Sequence, residues 1–171
     1  TWNWSLLMEF NPRLDLQMQR DVAVSPADIW RAWTTHELLM QWFCPRPWKV
    51  IDCQIDLRPG GLFKTVMQSP EGQTMPAEDG SYLAVEPERR LVWTNMLGPG
   101  FRPKPRPQDE QFGFFIVVDL KLDPLPDNGT RYCATVRHQD EAGKKAHEAM
   151  GFEQGWGIAL DQLVELMRTQ N

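Results

Sequence analysis

Residues 14–34, LDLQMQRDVAVSPADIWRAWT, change period halfway along, and every later segment is read against that change. Leu14, Leu16, Met18, Val22 and Val24 alternate with Asp15, Gln17, Gln19 and Asp21, the period-2 pattern of a strand with one apolar face. Arg20 alone interrupts that face. Ser25-Pro26-Ala27-Asp28 then supplies a helix N-cap, a proline at the first helical position and an acid in the first turn, so a short helix is expected to about Trp33. Thr34 and Glu37 have capping-box spacing before Leu38, Leu39, Met40 and Trp42, and Pro45 and Pro47 stop this second helix.

Beyond the two helices the period returns to 2. Trp48 to Leu57 and Leu62 to Gln68 flank Arg58-Pro59-Gly60-Gly61, a tight hairpin reversal. Ser81 to Val85, Arg90 to Met96, Phe112 to Leu122 and Arg131 to His138 read as further strands. In Pro126-Asp127-Asn128-Gly129 the Asn-Gly pair is expected to supply the positive φ angles of a two-residue turn. Leu97 to Gln111, rich in proline and without period, reads as a long irregular loop that is mobile and edges a pocket mouth. At the C-terminal end Phe152, Trp156, Leu160, Leu163 and Met167 recur every three or four residues, the stripe of a long helix facing a core, and Gly151, Gly155 and Gly157 imply close packing or a kink. Consecutive strands joined by short turns pair antiparallel, which makes the chain α+β.

The whole chain has 171 residues, net charge -5 and a pI near 5.2, so it offers no basic footprint for phosphates, and no nucleic-acid partner is expected. No apolar run reaches the roughly 20 residues that span a bilayer, and the start lacks signal-peptide regions, so no membrane insertion and a cytoplasmic location are expected. Cys44, Cys53 and Cys133 read as free thiols. Eight tryptophans point to an interior dominated by large rings.

The ordered series Arg20 to Thr34, Trp42-Phe43-Cys44-Pro45, Asp56 to Gly61, Gly80-Ser81-Tyr82, Glu86 to Val92 and Gly155-Trp156 resembles the START-like, or Bet v 1-like, superfamily (SRPBCC). More narrowly it is similar to bacterial homologues of the heat-shock-90 ATPase activator C-terminal domain. The resemblance spans roughly residues 14–170 and implies a helix-grip fold, a curved antiparallel sheet of about seven strands around a long C-terminal helix, with two short helices after the first strand. It makes residues 14–171 one such domain and 1–13 an N-terminal extension. It also implies a hydrophobic cavity between sheet and helix, the kind of place where small ligands bind.

Strand alternation and the helix stripe put Trp93, Asn95, Phe114, Ile116, Trp156 and Leu160 nearest that cavity, either as ligand contacts or as plain core. Asn95 there needs a hydrogen-bond partner, backbone or ligand. Arg20, on the apolar side of its strand, needs an anion: a structural carboxylate, an escape to solvent, or an acidic ligand. His138 and His147 read as solvated or capping groups and Asp119 as part of a solvated outer face. His36-Glu37-Leu38-Leu39-Met40 has methionine where a zinc ligand would stand, and dinucleotide loop, P-loop and nucleophile elbow are all missing, so neither metal nor cofactor is expected and no catalytic residue is assigned. Three functions stand open: binding a small hydrophobic molecule without catalysis, a cyclase, dehydratase or hydrolase using the same cavity, or a chaperone-activator-like module with a chaperone partner. Trp2, Trp4 and Phe10 suggest a homodimer.

Overall fold

The computed structural model describes residues 9–105 and 114–170. The alternating segment is β1, Asp15–Val22. Ser25 Oγ accepts a hydrogen bond from the Asp28 N–H at 3.1 Å and starts α1, Pro26–Thr34. A second helix, α2, covers His36–Trp42. Its start departs from the expected capping box: Thr34 ends α1, its hydroxyl donates to the Trp30 carbonyl at 2.7 Å, and Thr35 takes the cap position. A threonine hydroxyl within a helix finds the carbonyl four residues back before it finds the next turn.

The chain continues through β2, Lys49–Ile55, and β3, Leu62–Gln68, which pair antiparallel across the Arg58–Gly61 turn as expected. Then come β4, Glu78–Glu86, and β5, Arg90–Thr94. The next residues are not an irregular loop. Leu97–Gly98 (β6) and Arg102–Pro103 (β7) pair as a small hairpin, and the Gly100 N–H donates to the Gly60 carbonyl at 2.8 Å. Residues 97–105 thus rest on the 58–61 turn, and residues 106–111, which complete the expected mobile loop, lie outside the described residues. β8, Ile116–Pro124, and β9, Thr130–His138, complete a seven-stranded antiparallel sheet in the order β1-β9-β8-β5-β4-β3-β2.

Two further helices follow. α3, Glu141–Ala149, is capped by Asp140 and has no apolar stripe, which is why periodicity alone passes over it. α4, Phe152–Thr169, is the expected long helix. It buries Phe152, Leu160, Leu163 and Met167 and packs on β1, α1 and α2. Full burial of one large apolar side chain is worth about 1.5–3 kcal/mol, enough to fix which face turns inward. The architecture is α+β and matches the helix-grip fold.

Two local expectations change. Between β8 and β9 the positive φ angles belong to Asp127 (65°) and Asn128 (62°), one residue earlier than expected. Gly129 is extended, and a Cβ there would lie 2.9 Å from the Val22 carbonyl oxygen, so close approach of β1 is what requires glycine. Asp119 is not solvated: it is 3% exposed and accepts two hydrogen bonds from Arg90 at 2.9 Å and one from Arg137 at 3.2 Å. Desolvation works against its charge, but the Arg90 hydrogen bonds and neighbouring positive charges prevail and hold the carboxyl below its ordinary value. Trp2 and Trp4, on which the expected homodimer rests, lie outside the described residues, and Phe10 is exposed.

Candidate functional site: an aromatic cavity under the long helix

Between the sheet and α4 lies a cavity of about 590 Å³. A close-packed interior leaves few voids larger than a water molecule, so this volume is distinct from ordinary packing. Trp93 and Asn95 reach it from β5 and just beyond, Phe114 from the segment before β8, Ile116 from the first residue of β8, and Trp156 and Leu160 from α4. Six of the seven sequence-derived candidates therefore surround one space. Arg20 is the exception. Its guanidinium donates to Asp161 Oδ1 at 3.2 Å and to the Gly157 carbonyl at 3.4 Å, on the solvent side of the helix. A Cβ at Gly157 would collide with that guanidinium, so the glycine marks the seat of Arg20. The anion Arg20 needs is a structural carboxylate.

Asn95 resolves toward the backbone: its Nδ2 donates to the Phe114 carbonyl at 2.5 Å and its Oδ1 accepts from the Ile116 N–H at 2.9 Å. Both ends of the amide are used to hold the entry of β8 at the cavity wall. On the opposite side Gln162 does a similar task. Its Nε2 donates to the Trp42 and Cys44 carbonyls at 3.0 and 2.8 Å, and its Oε1 accepts from the Arg46 N–H at 3.0 Å, tying the segment after α2 to α4. Nothing in the periodicity singles out Gln162, because a polar residue on a helix is read as solvated.

Rings line the cavity in two chains. Trp33, Trp42, Phe43 and Phe63 contact one another edge to face at 4.9–6.0 Å, and Phe63 extends the chain to Trp93 at 5.0 Å. Across the cavity, Phe114 stacks on His147 at 4.9 Å, His147 meets Phe152 edge-on at 5.3 Å, and Phe152 leads to Trp156 at 5.5 Å. Trp48 and Met150 line the cavity while remaining 37% and 58% exposed, which places them at its mouth.

The expected solvated roles of the two histidines fail. His138 is buried, and its Nδ1 lies 2.9 Å from the Leu14 carbonyl oxygen while its Nε2 lies 2.8 Å from His147 Nδ1. α3 brings His147 over the sheet, and without that helix in view no sequence signal joins residues nine apart in opposite elements. Burial lowers the proton affinity of both rings, and for His147 the neighbouring His138 reinforces it, bringing its value down to about 4. Burial also pushes the Cys44 thiol at the cavity wall up to about 11. Glu78, also on the cavity wall, has its carboxyl held above its ordinary value by desolvation, opposed by Lys104 and a hydrogen bond with Asn95 and helped by Asp79. Among the described residues no three His, Cys, Asp or Glu side chains gather as a metal ion would need, and no helix is long and apolar enough to cross a membrane.

Residues 23–168 match the family described as Activator of Hsp90 ATPase homolog 1-like protein. A crystal structure of a protein from Nitrosomonas europaea is 40% identical and superposes with a TM-score of 0.87, covering 94% of this chain and 98% of that one. A Rhodobacter sphaeroides protein at 22% identity (TM-score 0.76, 95% and 99% covered) and an Arthrobacter aurescens protein at 20% (0.76, 92% and 87%) share the fold. No curated protein matches. The chain belongs to the Activator of Hsp90 ATPase homolog 1-like family.

Proposed function

We propose that this member of the Activator of Hsp90 ATPase homolog 1-like family binds one small, largely apolar molecule in the cavity between its sheet and α4. The observation that carries the reading is the unfilled volume of about 590 Å³ walled by aromatic rings. It falls within the roughly 300–1,000 Å³ range of small-molecule pockets, which are apolar with a few polar groups. Trp93, Asn95, Phe114, Ile116, Trp156 and Leu160 are its proposed ligand-binding residues, with Asn95 acting by holding Phe114 and Ile116 in place.

Two groups of the wall, Cys44 and His147, are poorly suited to catalysis at neutral pH. A thiol raised to about 11 carries almost no thiolate at neutral pH, and an imidazole that protonates near 4 is a weak base there, whereas effective general bases lie near the working pH.

Gly155 provides the test. It lines the cavity, and a Cβ built on it has no atom within 4 Å. Titration of the protein with naphthalene, followed by tryptophan fluorescence, is expected to saturate. In Gly155→Leu the new side chain enters the open space, so binding is expected to fail while the melting temperature holds. Unchanged binding in this variant would place the probe elsewhere and reject the cavity as the site.

A further inference from the structure

Neutral imidazoles that bond to each other and to one carbonyl have their protons placed by necessity. A carbonyl oxygen only accepts, so His138 Nδ1, 2.9 Å from the Leu14 oxygen, carries a proton. In a neutral ring the other nitrogen is then bare, so His138 Nε2 accepts, and its partner His147 Nδ1 at 2.8 Å must donate. The same rule leaves His147 Nε2 bare. That nitrogen has no partner among the described residues, the ring lines the cavity, and its position is set by stacking on Phe114 and edge contact with Phe152. The low proton affinity of both rings keeps the chain neutral around pH 7.

We infer that His147 Nε2 is a fixed hydrogen-bond acceptor presented to the cavity, and that the ligand it selects is an apolar molecule carrying a hydroxyl or N–H donor. The inference rests on the cavity reading above and adds the ligand's polar group. His138 acts through His147 and is a positioning residue: it decides which nitrogen of the neighbour is bare. An acceptor in an apolar wall discriminates well, because a ligand without a donor strips water from the nitrogen and returns nothing.

Two measurements test this. The first is the imidazole ¹⁵N spectrum of the free protein near neutral pH, which reads the tautomers without any ligand. Both His138 and His147 are expected as Nδ1–H, Nε2-bare rings; a proton on His147 Nε2 overturns the inference. The second compares 2-naphthol with 2-methoxynaphthalene, probes of similar shape of which only the first donates. The native protein is expected to prefer the naphthol by roughly three- to tenfold, the range of one net hydrogen bond. His147→Phe, which keeps a ring in the stack, is expected to lose that preference while still binding the ether. Equal affinity of the native protein for both probes overturns the inference and leaves the cavity reading intact. Failure of both probes to bind, with naphthalene also failing, overturns the cavity reading and the donor preference together.

Discussion

The two chains of rings that face each other across the cavity differ in how they are closed. In the chain from Trp33 to Trp93, the tryptophans at its start are deeply buried and their N–H groups are answered inside the protein: Trp33 Nε1 donates to the Tyr132 hydroxyl at 3.2 Å and Trp42 Nε1 to the Ala32 carbonyl at 3.1 Å. In the chain from Phe114 to Trp156, three of the four rings are half-buried, and His147 Nε2 has no partner among the described residues; the first chain reaches a comparable end only at its cavity tip, where Trp93 Nε1 is buried without a partner. The first is a wall that belongs to the core, the second a wall that serves the cavity. An aromatic lining is no uniform thing: one side is continuous with the core and the other is half-buried at the cavity.

The largest expected effect separates them by size. Trp33→Ala removes a ring packed on Trp42 and Phe43 and strands the Tyr132 hydroxyl, and it should cost about 3–5 kcal/mol by chemical denaturation. Phe114→Ala, taken from the half-buried side, should cost clearly less. Equal costs would erase the distinction between the walls.

A smaller effect separates them by pH. The folded-state values of His138 and His147 lie below those of the unfolded chain, so the unfolded state binds more protons as the solution is acidified. Their contribution is fully present above about 6.5, the ordinary histidine value, and is lost as pH falls toward the His147 value of about 4. Glu78, shifted upward, acts in the opposite sense, and Asp119, shifted downward, holds its charge to lower pH than an ordinary aspartate. Subtracting the pH profile of His147→Phe from that of the native protein isolates the His147 part, expected as a stability difference that shrinks as the pH falls from about 6.5 toward 4. Parallel profiles would show that the pair carries no proton linkage.

The smallest effect concerns space. Gly155→Ala adds a methyl group where none meets an atom within 4 Å and improves helix propensity, so stability should rise by about 0.5–1 kcal/mol. A loss of stability would mean that the helix meets the sheet there more closely than the open side of the cavity allows.

How much of this was legible beforehand follows the same division. β1, α1, the 58–61 turn and α4 announce themselves through period and end signals, because their apolar faces meet one core. Trp93, Asn95, Phe114, Ile116, Trp156 and Leu160 follow from alternation once sheet and helix are opposed. α3 leaves no such trace: its exposed and half-buried residues have no stripe, and what it contributes is one imidazole, placed by a partner nine residues earlier across a turn. Arg20 stays open among three partners in the sequence and Asp119 is read as solvated for a common reason. Alternation tells which side of a strand a residue takes but not whether a charged partner waits there, Asp161 for the first and Arg90 with Arg137 for the second.

Whether a guest sits between the two chains of rings is read from a crystal structure of the native protein with 2-bromonaphthalene, in which the bromine is located by its anomalous scattering. The bromine is expected inside the cavity, between Trp93 on one wall and Trp156 on the other. Bromine found only on the outer surface, or none in a crystal from a solution in which the probe is bound, would contradict it.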